Sequence, residues 1–308
     1  MSKLKVLVLG GSGFVGKELI THLLLDSSTY TVTALQHLIK LHFADKNFST
    51  IDGNMGSLTH SKLKEINPDI VFHLARNNSK NGILGRYIAS FKGYYANREF
   101  LKNLNQLNKP VKVIYLSGSL MYGEGIHHEN STIKPTSFAR QYVIAESPLL
   151  IPQRYTNLFI TMVRVPWILG NGSWFKTFYH QQINATQSIQ CYSTDQFNMQ
   201  VISVEDCASN LIRLSKLNHK GVYNLFMPTA IKYKQFIEEI ALAYGVKNML
   251  PFDKNWLHRK FEKAVYEAFT KEILMTTIYT DIQSKMVFTD ATSLEMLQRK
   301  LASFTHHE

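Results

Sequence analysis

The apolar positions of this chain fall into two periods. Runs at Val6 to Leu9, Tyr30 to Leu35, Asp69 to Leu74, Val111 to Ser117 and Leu158 to Arg164 suit strands of a parallel sheet covered on both faces. Between them the spacing lengthens to three or four residues, as at Val15, Leu19 and Leu23, which places apolar side chains on one helix face. Asn67-Pro68-Asp69 and Asn108-Lys109-Pro110 break that pattern just ahead of two of the strands. Alternation of this kind predicts an α/β fold with a doubly wound parallel sheet. From Pro166 onward the pattern gives way to aromatic-rich loops and to helices expected over 205 to 216, 232 to 244, 256 to 270 and 292 to 302. A smaller C-terminal α/β lobe is therefore expected over 166–185 and 228–308, with a first domain over 1–165 to which 186–227 returns.

The first apolar run leads directly into Gly10-Gly11-Ser12-Gly13-Phe14-Val15-Gly16 and then into the first helical pattern. A strand, a glycine-rich turn and a helix in this order make a cradle for a diphosphate. Gly10 permits the tight turn, Gly13 lets backbone approach the ligand, and Gly16 lets the helix lie close to the strand. The helix N-terminus then offers its unpaired N–H groups to the phosphates. The fold predicted is thus of the Rossmann type, and Gly10, Ser12, Gly13, Phe14, Val15 and Gly16 are assigned to cofactor binding.

A chain of 308 residues with 45% hydrophobic content can bury a large core. The most apolar stretch, 147 to 170, is interrupted by Arg154, Asn157 and Arg164, so no membrane span is expected. Lys3 and Lys5 precede an apolar run as in a leader peptide, but glycines and Lys17 follow at once. Cys191 and Cys207 are too few and too far apart for a disulfide framework or a metal site. The expected setting is cytoplasmic, without a metal. An excess of 34 Lys+Arg over 23 Asp+Glu gives a net charge of +11, which favours anionic partners such as phosphorylated cofactors and nucleotide-linked sugars. Basic residues gather from Arg76 to Lys102 and from Lys247 to Lys263, but no nucleic-acid motif accompanies them. Nucleic acid is not the expected partner.

Further landmarks follow the glycine loop in order. Pro68 to Ala75 reads as a fourth strand, Asn97 as a structural asparagine, and Val113 to Gly123 as a fifth strand with a serine loop. Val163 to Gly172 then leads into the substrate lobe, and Val204-Glu205-Asp206 starts a later helix. Together they resemble the extended short-chain dehydrogenase/reductase family, in its nucleotide-sugar epimerase and dehydratase branch, over residues 4 to 245. The resemblance implies that Leu74, Ala75 and Arg76, at the fourth strand's end, lie beside the cofactor. It also implies a catalytic Ser or Thr, a Tyr, and a Lys four residues after that Tyr.

This chain lacks that set. Aligned through Pro135 and Glu146, Phe138 takes the Tyr position and Tyr142 the Lys position, while Gly118 fills the serine slot. In another register Tyr142 is the phenol, but its partner four residues on is Glu146, whose negative charge raises a phenol's pKa. Ser117, Ser119, Tyr142 and Tyr122 remain as candidates for a displaced acid/base; equally, the serines suit local backbone bonds and the tyrosines suit half-buried aromatics. His73 reads as a satisfied sheet-end histidine. Trp174, Phe175, Phe178 and Tyr179 suit either a sugar pocket or a core.

The second strand ends at Gln36 and His37 without the carboxylate that holds the adenosine ribose in NAD-preferring proteins of this fold, so the sequence favours NADP over NAD. Asn54, followed by Met55, resembles the family's adenine-side residue after the third strand. Two functions stay open. One is an NAD(P)-dependent epimerase, dehydratase or oxidoreductase acting on a polar carbonyl or a sugar nucleotide with a non-standard acid/base. The other is a catalytically inactive dinucleotide-binding sensor or regulatory subunit. By analogy with the family, a homodimer through the helices around 90 to 107 and 137 to 150 is expected, with Ile144, Leu149, Leu150 and Ile151 available to it.

Overall fold

The computed structural model describes residues 2–76, 82–191, 197–251, 267 and 270–305. The chain folds into two compact units: Met1–Ser117, Arg140–Arg164 and Ala208–Tyr223 form the first, and Gly118–Ala139, Val165–Cys207 and Asn224–Glu308 the second.

The first unit is built on a seven-stranded sheet. In chain order its strands are β1 (Leu4–Leu9), β2 (Tyr30–Gln36), β3 (Phe48–Asp52), β4 (Ile70–His73), β5 (Val111–Gly118), then β7 (Leu158–Val165) and β12 (Gly221–Asn224). Their order across the sheet is β12-β7-β5-β4-β1-β2-β3. β1 pairs in parallel with β2 on one side and with β4 on the other, Val8 lying opposite both Ala34 and Phe72. The winding direction reverses between β1 and β4, and a crevice opens at the carboxyl ends of strands where this happens. Val6 to Leu9 are essentially inaccessible, as a strand covered on both faces must be.

Helices α1 (Phe14–Leu25), α2 (His60–Ile66), α3 (Gly82–Asn105) and α4 (Arg140–Glu146) flank the sheet, with part of α6 (Val204–Lys216). Each boundary has a local cause. The Thr59 hydroxyl accepts the Lys62 N–H to cap α2, and Asn67, at φ 48°, ends it in the left-handed conformation. Pro148 lies just after α4 and the chain continues as a tight 3-10 turn, Ser147–Leu150. α4 is thus shorter than the 137 to 150 segment expected to be helical. Two edge strands, β3 and β12, have no apolar run to announce them. β3 is mostly exposed, and β12 starts at Gly221 with φ +106°.

The second unit holds its own core. Leu169, Phe175, Tyr179, Ile183, Val201, Phe236, Ile240 and Leu297 are buried together, drawn from the segment after Pro166, from α7 (Tyr233–Ala243) and from the C-terminal helix Ser293–Thr305. Trp174 stacks on Phe236 with centroids 6.1 Å apart, and its Nε1 donates to the Ile168 carbonyl at 2.9 Å. The aromatic group 174 to 179 therefore packs as core. The helix expected over 256 to 270 lies, apart from Glu267 and Thr270, outside the described residues.

Candidate functional site

The glycine loop takes its shape from three different constraints. Gly10 sits at φ +83°, and a Cβ there would lie 2.7 Å from the Ala75 nitrogen, so only glycine lets β1 turn against the end of β4. A Cβ on Gly16 would lie 2.3 Å from the Gly10 carbonyl oxygen, and this fixes how closely α1 approaches the loop. Gly13 differs, because an added Cβ would meet only the Gly10 oxygen, at 3.4 Å. No neighbour in the fold demands glycine at 13; the open space beside it is what a ligand would use. Gly13 is the N-cap of α1 and offers no side-chain cap, and the first turn holds no acidic residue. The first intrahelical bond runs from the Lys17 N–H to the Gly13 carbonyl at 2.9 Å, which leaves the N–H groups of Phe14, Val15 and Gly16 at the positive end of the helix. This arrangement fits a diphosphate.

The strand ends open onto a cavity of about 620 Å³, within the ~300–1,000 Å³ usual for small-molecule sites. Gly10 and Ser12 line it at the loop, Leu35 and His37 after β2, Gly53 to Gly56 after β3, and Ala75 and Arg76 after β4. Ser90, Lys92, Gly93, Ala96 and Asn97 of α3, Tyr115 of β5, and Gln141, Tyr142 and Ala145 of α4 complete the wall. His37, Asn54, Met55, Ala75, Arg76 and Tyr142 are thus brought together with the loop. Of the loop itself Gly10 and Ser12 are on this wall and Gly13, Phe14, Val15 and Gly16 are not; nor are five others, Gln36, Leu74, Ser117, Ser119 and Tyr122.

Those five have other placements. Gln36 is buried; its Nε2 donates to the Asp52 carboxylate at 3.0 Å and its Oε1 accepts the Leu41 N–H at 2.9 Å. Asp52, one strand over, also pairs with Lys40. Leu74 donates its N–H to the Leu9 carbonyl at 2.8 Å, continuing the β1–β4 pairing. The Ser117 hydroxyl donates to both oxygens of Glu146, at 2.8 and 3.0 Å, in the interior of the first unit. In the second unit Ser119 is buried in a 3-10 turn. Tyr122 is fully buried there, donating to the Asn224 side-chain oxygen at 2.7 Å and stacking on His127 at 5.1 Å. On the wall itself, the Asn54 oxygen accepts the Gly56 N–H at 2.8 Å.

Glu146 anchors the register of α4. Its carboxylate points inward to Ser117, while Tyr142, one helical turn earlier, faces the cavity beside Gln141 and Ala145. Phe138 precedes the helix, half-buried in the second unit. Gly118 ends β5 at φ −140°, an extended conformation open to any residue.

The electrostatics of this corner follow from burial. Burial pushes the Glu146 carboxyl above its ordinary value, while the Arg76 guanidinium, the Ser117 hydroxyl and Arg164 pull it back. Burial also raises the Tyr142 phenol, opposed by Arg76 and reinforced by Glu146. Tyr115 is raised for the same reasons, burial first and Glu146 second. Neither phenol is a ready proton source near neutrality. Nearby, His73 donates from Nε2 to the Asn97 side-chain oxygen at 2.8 Å, and Asn97 donates to the Ala145 carbonyl at 2.7 Å. This relay ties β4 to α3 and α4.

Tyr115 and Asp52 are absent from the residues chosen by motif. Tyr115 had a signal, since alternation along β5 places it on the same side as Ser117. Asp52 had none within its own segment, because it is the pairing of β2 with β3 that sets it opposite Gln36.

A parallel sheet with a glycine loop and a crevice at its switch point defines a dinucleotide-binding protein of the doubly wound class. A model of the NAD dependent epimerase/dehydratase family matches residues 6–225, and the chain belongs to that family. Among relatives, a UDP-glucose 4-epimerase of Mycoplasma pneumoniae is 28% identical over 180 residues, covering 54% of this chain and 50% of the relative. The chain thus aligns with half the length of that relative. Among solved structures, a UDP-N-acetylglucosamine 4-epimerase from Methanobrevibacter ruminantium in complex with UDP-N-acetylmuramic acid matches with a TM-score of 0.79 at 20% identity, covering 100% of both chains. A dTDP-glucose 4,6-dehydratase from Bacillus anthracis in complex with NAD matches with a TM-score of 0.78 at 16% identity, covering 99% of this chain and 97% of that one. At these identities the likeness is one of fold.

Proposed function

We propose that the crevice of the first unit binds a nicotinamide adenine dinucleotide, and that the protein acts on a nucleotide-linked sugar with an acid/base other than the family's Tyr-Lys couple. The observation that carries this is Gly13, a glycine that no neighbouring atom requires, set at a helix N-terminus and next in the chain to Ser12, on the wall of a cavity lined from His37 and Asn54 to Arg76 and Tyr142. Ser12 and the N–H groups of Phe14 and Val15 would hold the diphosphate, with His37, Asn54 and Met55 at the adenosine side and Ala75 and Arg76 at the nicotinamide side. The cofactor would supply reversible hydride transfer. The substrate class follows from what the relatives' names state that they act on or bind, together with the net positive charge of the chain.

NADP is proposed ahead of NAD because β2 ends without a carboxylate, and because Asp52, which β3 brings alongside, is already paired with Lys40 and Gln36. A second reading, binding without turnover, is favoured by Gly118, Phe138 and Tyr142 together in the three slots where the family carries its Ser, Tyr and Lys. A homodimer is proposed through α3, whose Leu84, Tyr87, Ile88, Phe91 and Tyr95 are 42% to 74% exposed at helical spacing. Neither cysteine forms a disulfide, which suits the cytoplasm.

Calorimetric titration with NAD, NADH, NADP and NADPH tests the reading. Binding of at least one, strongest for the NADP pair, and its loss in Gly13→Asp are expected. Absence of heat with all four would overturn it.

A further inference from the structure

We propose that Arg76 replaces the ammonium that the family pattern places on α4, holding the nicotinamide-ribose half of the dinucleotide from the end of β4. This rests on the reading of the crevice as a dinucleotide site. The slot on α4 is occupied by Tyr142, and the Arg76 guanidinium lies over that ring, 5.0 Å from its centroid. A cation is therefore present at the corner where one is expected, but it arrives from a different element. Contact with the face of a buried ring holds the guanidinium in place. One N–H of Nη2 reaches the Leu116 carbonyl at 3.4 Å, and the residue remains exposed on the cavity wall. A guanidinium carries five donors in a fork, enough to serve Leu116 and a pair of vicinal hydroxyls.

The charge balance agrees. Glu146, Tyr115 and Tyr142 crowd this corner with acidic groups, and each is offset by the Arg76 charge. Arg164 also offsets Glu146, from the buried interior, and Arg86 of α3 offsets Tyr142. Of the three cations, Arg76 is on the cavity wall. The other cation on the wall is Lys92 of α3, which serves as the control.

The test compares NADH, ADP-ribose and ADP as calorimetric ligands for the intact protein, for Arg76→Gln, for Arg76→Lys and for Lys92→Gln. ADP-ribose contains the second ribose and ADP does not. Losing hydrogen bonds from a charged donor costs about tenfold or more in affinity. That loss is expected in Arg76→Gln for NADH and ADP-ribose, with ADP held within about twofold and most of the loss recovered in Arg76→Lys. Arg76→Gln also removes the charge that offsets Glu146 and should melt somewhat below the parent, so affinities are compared at a temperature where every variant is folded. Equal affinity of Arg76→Gln and the parent for NADH, an equal loss with ADP, or an equal loss in Lys92→Gln would overturn the assignment. If the parent takes none of the three ligands, it is the dinucleotide reading that fails, and the role of Arg76 falls with it.

Discussion

His73 stays neutral at the end of β4 because burial pushes its imidazole down to about 4, against an opposing contribution from Asn97. Above pH 6.5 the ring is neutral in both folded and unfolded chains. Below that value the unfolded chain takes up a proton that the folded one refuses until about pH 4, so stability falls across this window, by about 3 kcal/mol from the full shift. Glu146 acts with the opposite sign: its raised pKa favours the folded state at low pH, and that contribution is lost as pH rises through the raised value. Urea midpoints over this range should therefore fall less steeply in His73→Gln, which cannot protonate, than in the parent; parallel curves would refute this. The glycines separate in the same manner. Gly16→Ala must move backbone and should lower the melting temperature, whereas Gly13→Asp should melt close to the parent while losing the ligand. At this scale the chain was legible where a residue's role is local, as with the positive φ of Gly10. It was opaque where the role depends on a neighbouring strand. Gln36, expected at the cofactor by position, bridges β2 to Asp52 on β3 and to Leu41, and no local pattern announces that pairing.

Elements were legible in proportion to their burial. β1, β4, β5 and β7 are apolar runs because both faces are covered, and their expected bounds match the observed ones to within a residue at most ends. The edge strands carry no such mark, since one edge lacks a partner and their faces are partly solvated. α4 is the element on which the chemistry turns. In the register aligned through Pro135 and Glu146, the family's pattern is restored by Gly118→Ser, Phe138→Tyr and Tyr142→Lys. The extended backbone at Gly118 accepts serine without strain. The ammonium introduced on α4 would, however, meet the Arg76 guanidinium, and like charges at close range disfavour both. The triple change should gain little hydride transfer from a sugar nucleotide to bound cofactor, followed by nicotinamide absorbance, until Arg76→Ala is added. A gain of about 10² with the fourth change is the scale of a positioned acid/base. A rate no different between the two variants would show that the substitutions in these slots are not what limits the chemistry.

On the whole molecule, the exposed stripe of α3 is too apolar and too regular for a solvated face, and it carries the homodimer proposal. Phe91→Glu, in the middle of that stripe, should convert a dimer to a monomer in light scattering without lowering the melting temperature of the isolated chain. A parent that is monomeric at all concentrations would remove the proposal. Connectivity has a consequence of another kind. Each unit takes its residues from three separate stretches, and the sheet of the first unit is completed only by β12, near residue 224. During synthesis, a ribosome-bound chain that ends before this point leaves the outer edge of β7 open, though β1 to β5 are already available to pair. An unpaired edge of Leu158 to Val165 can pair with other nascent chains, so the interval between emergence of β7 and emergence of β12 is the window in which this edge is open to mispairing.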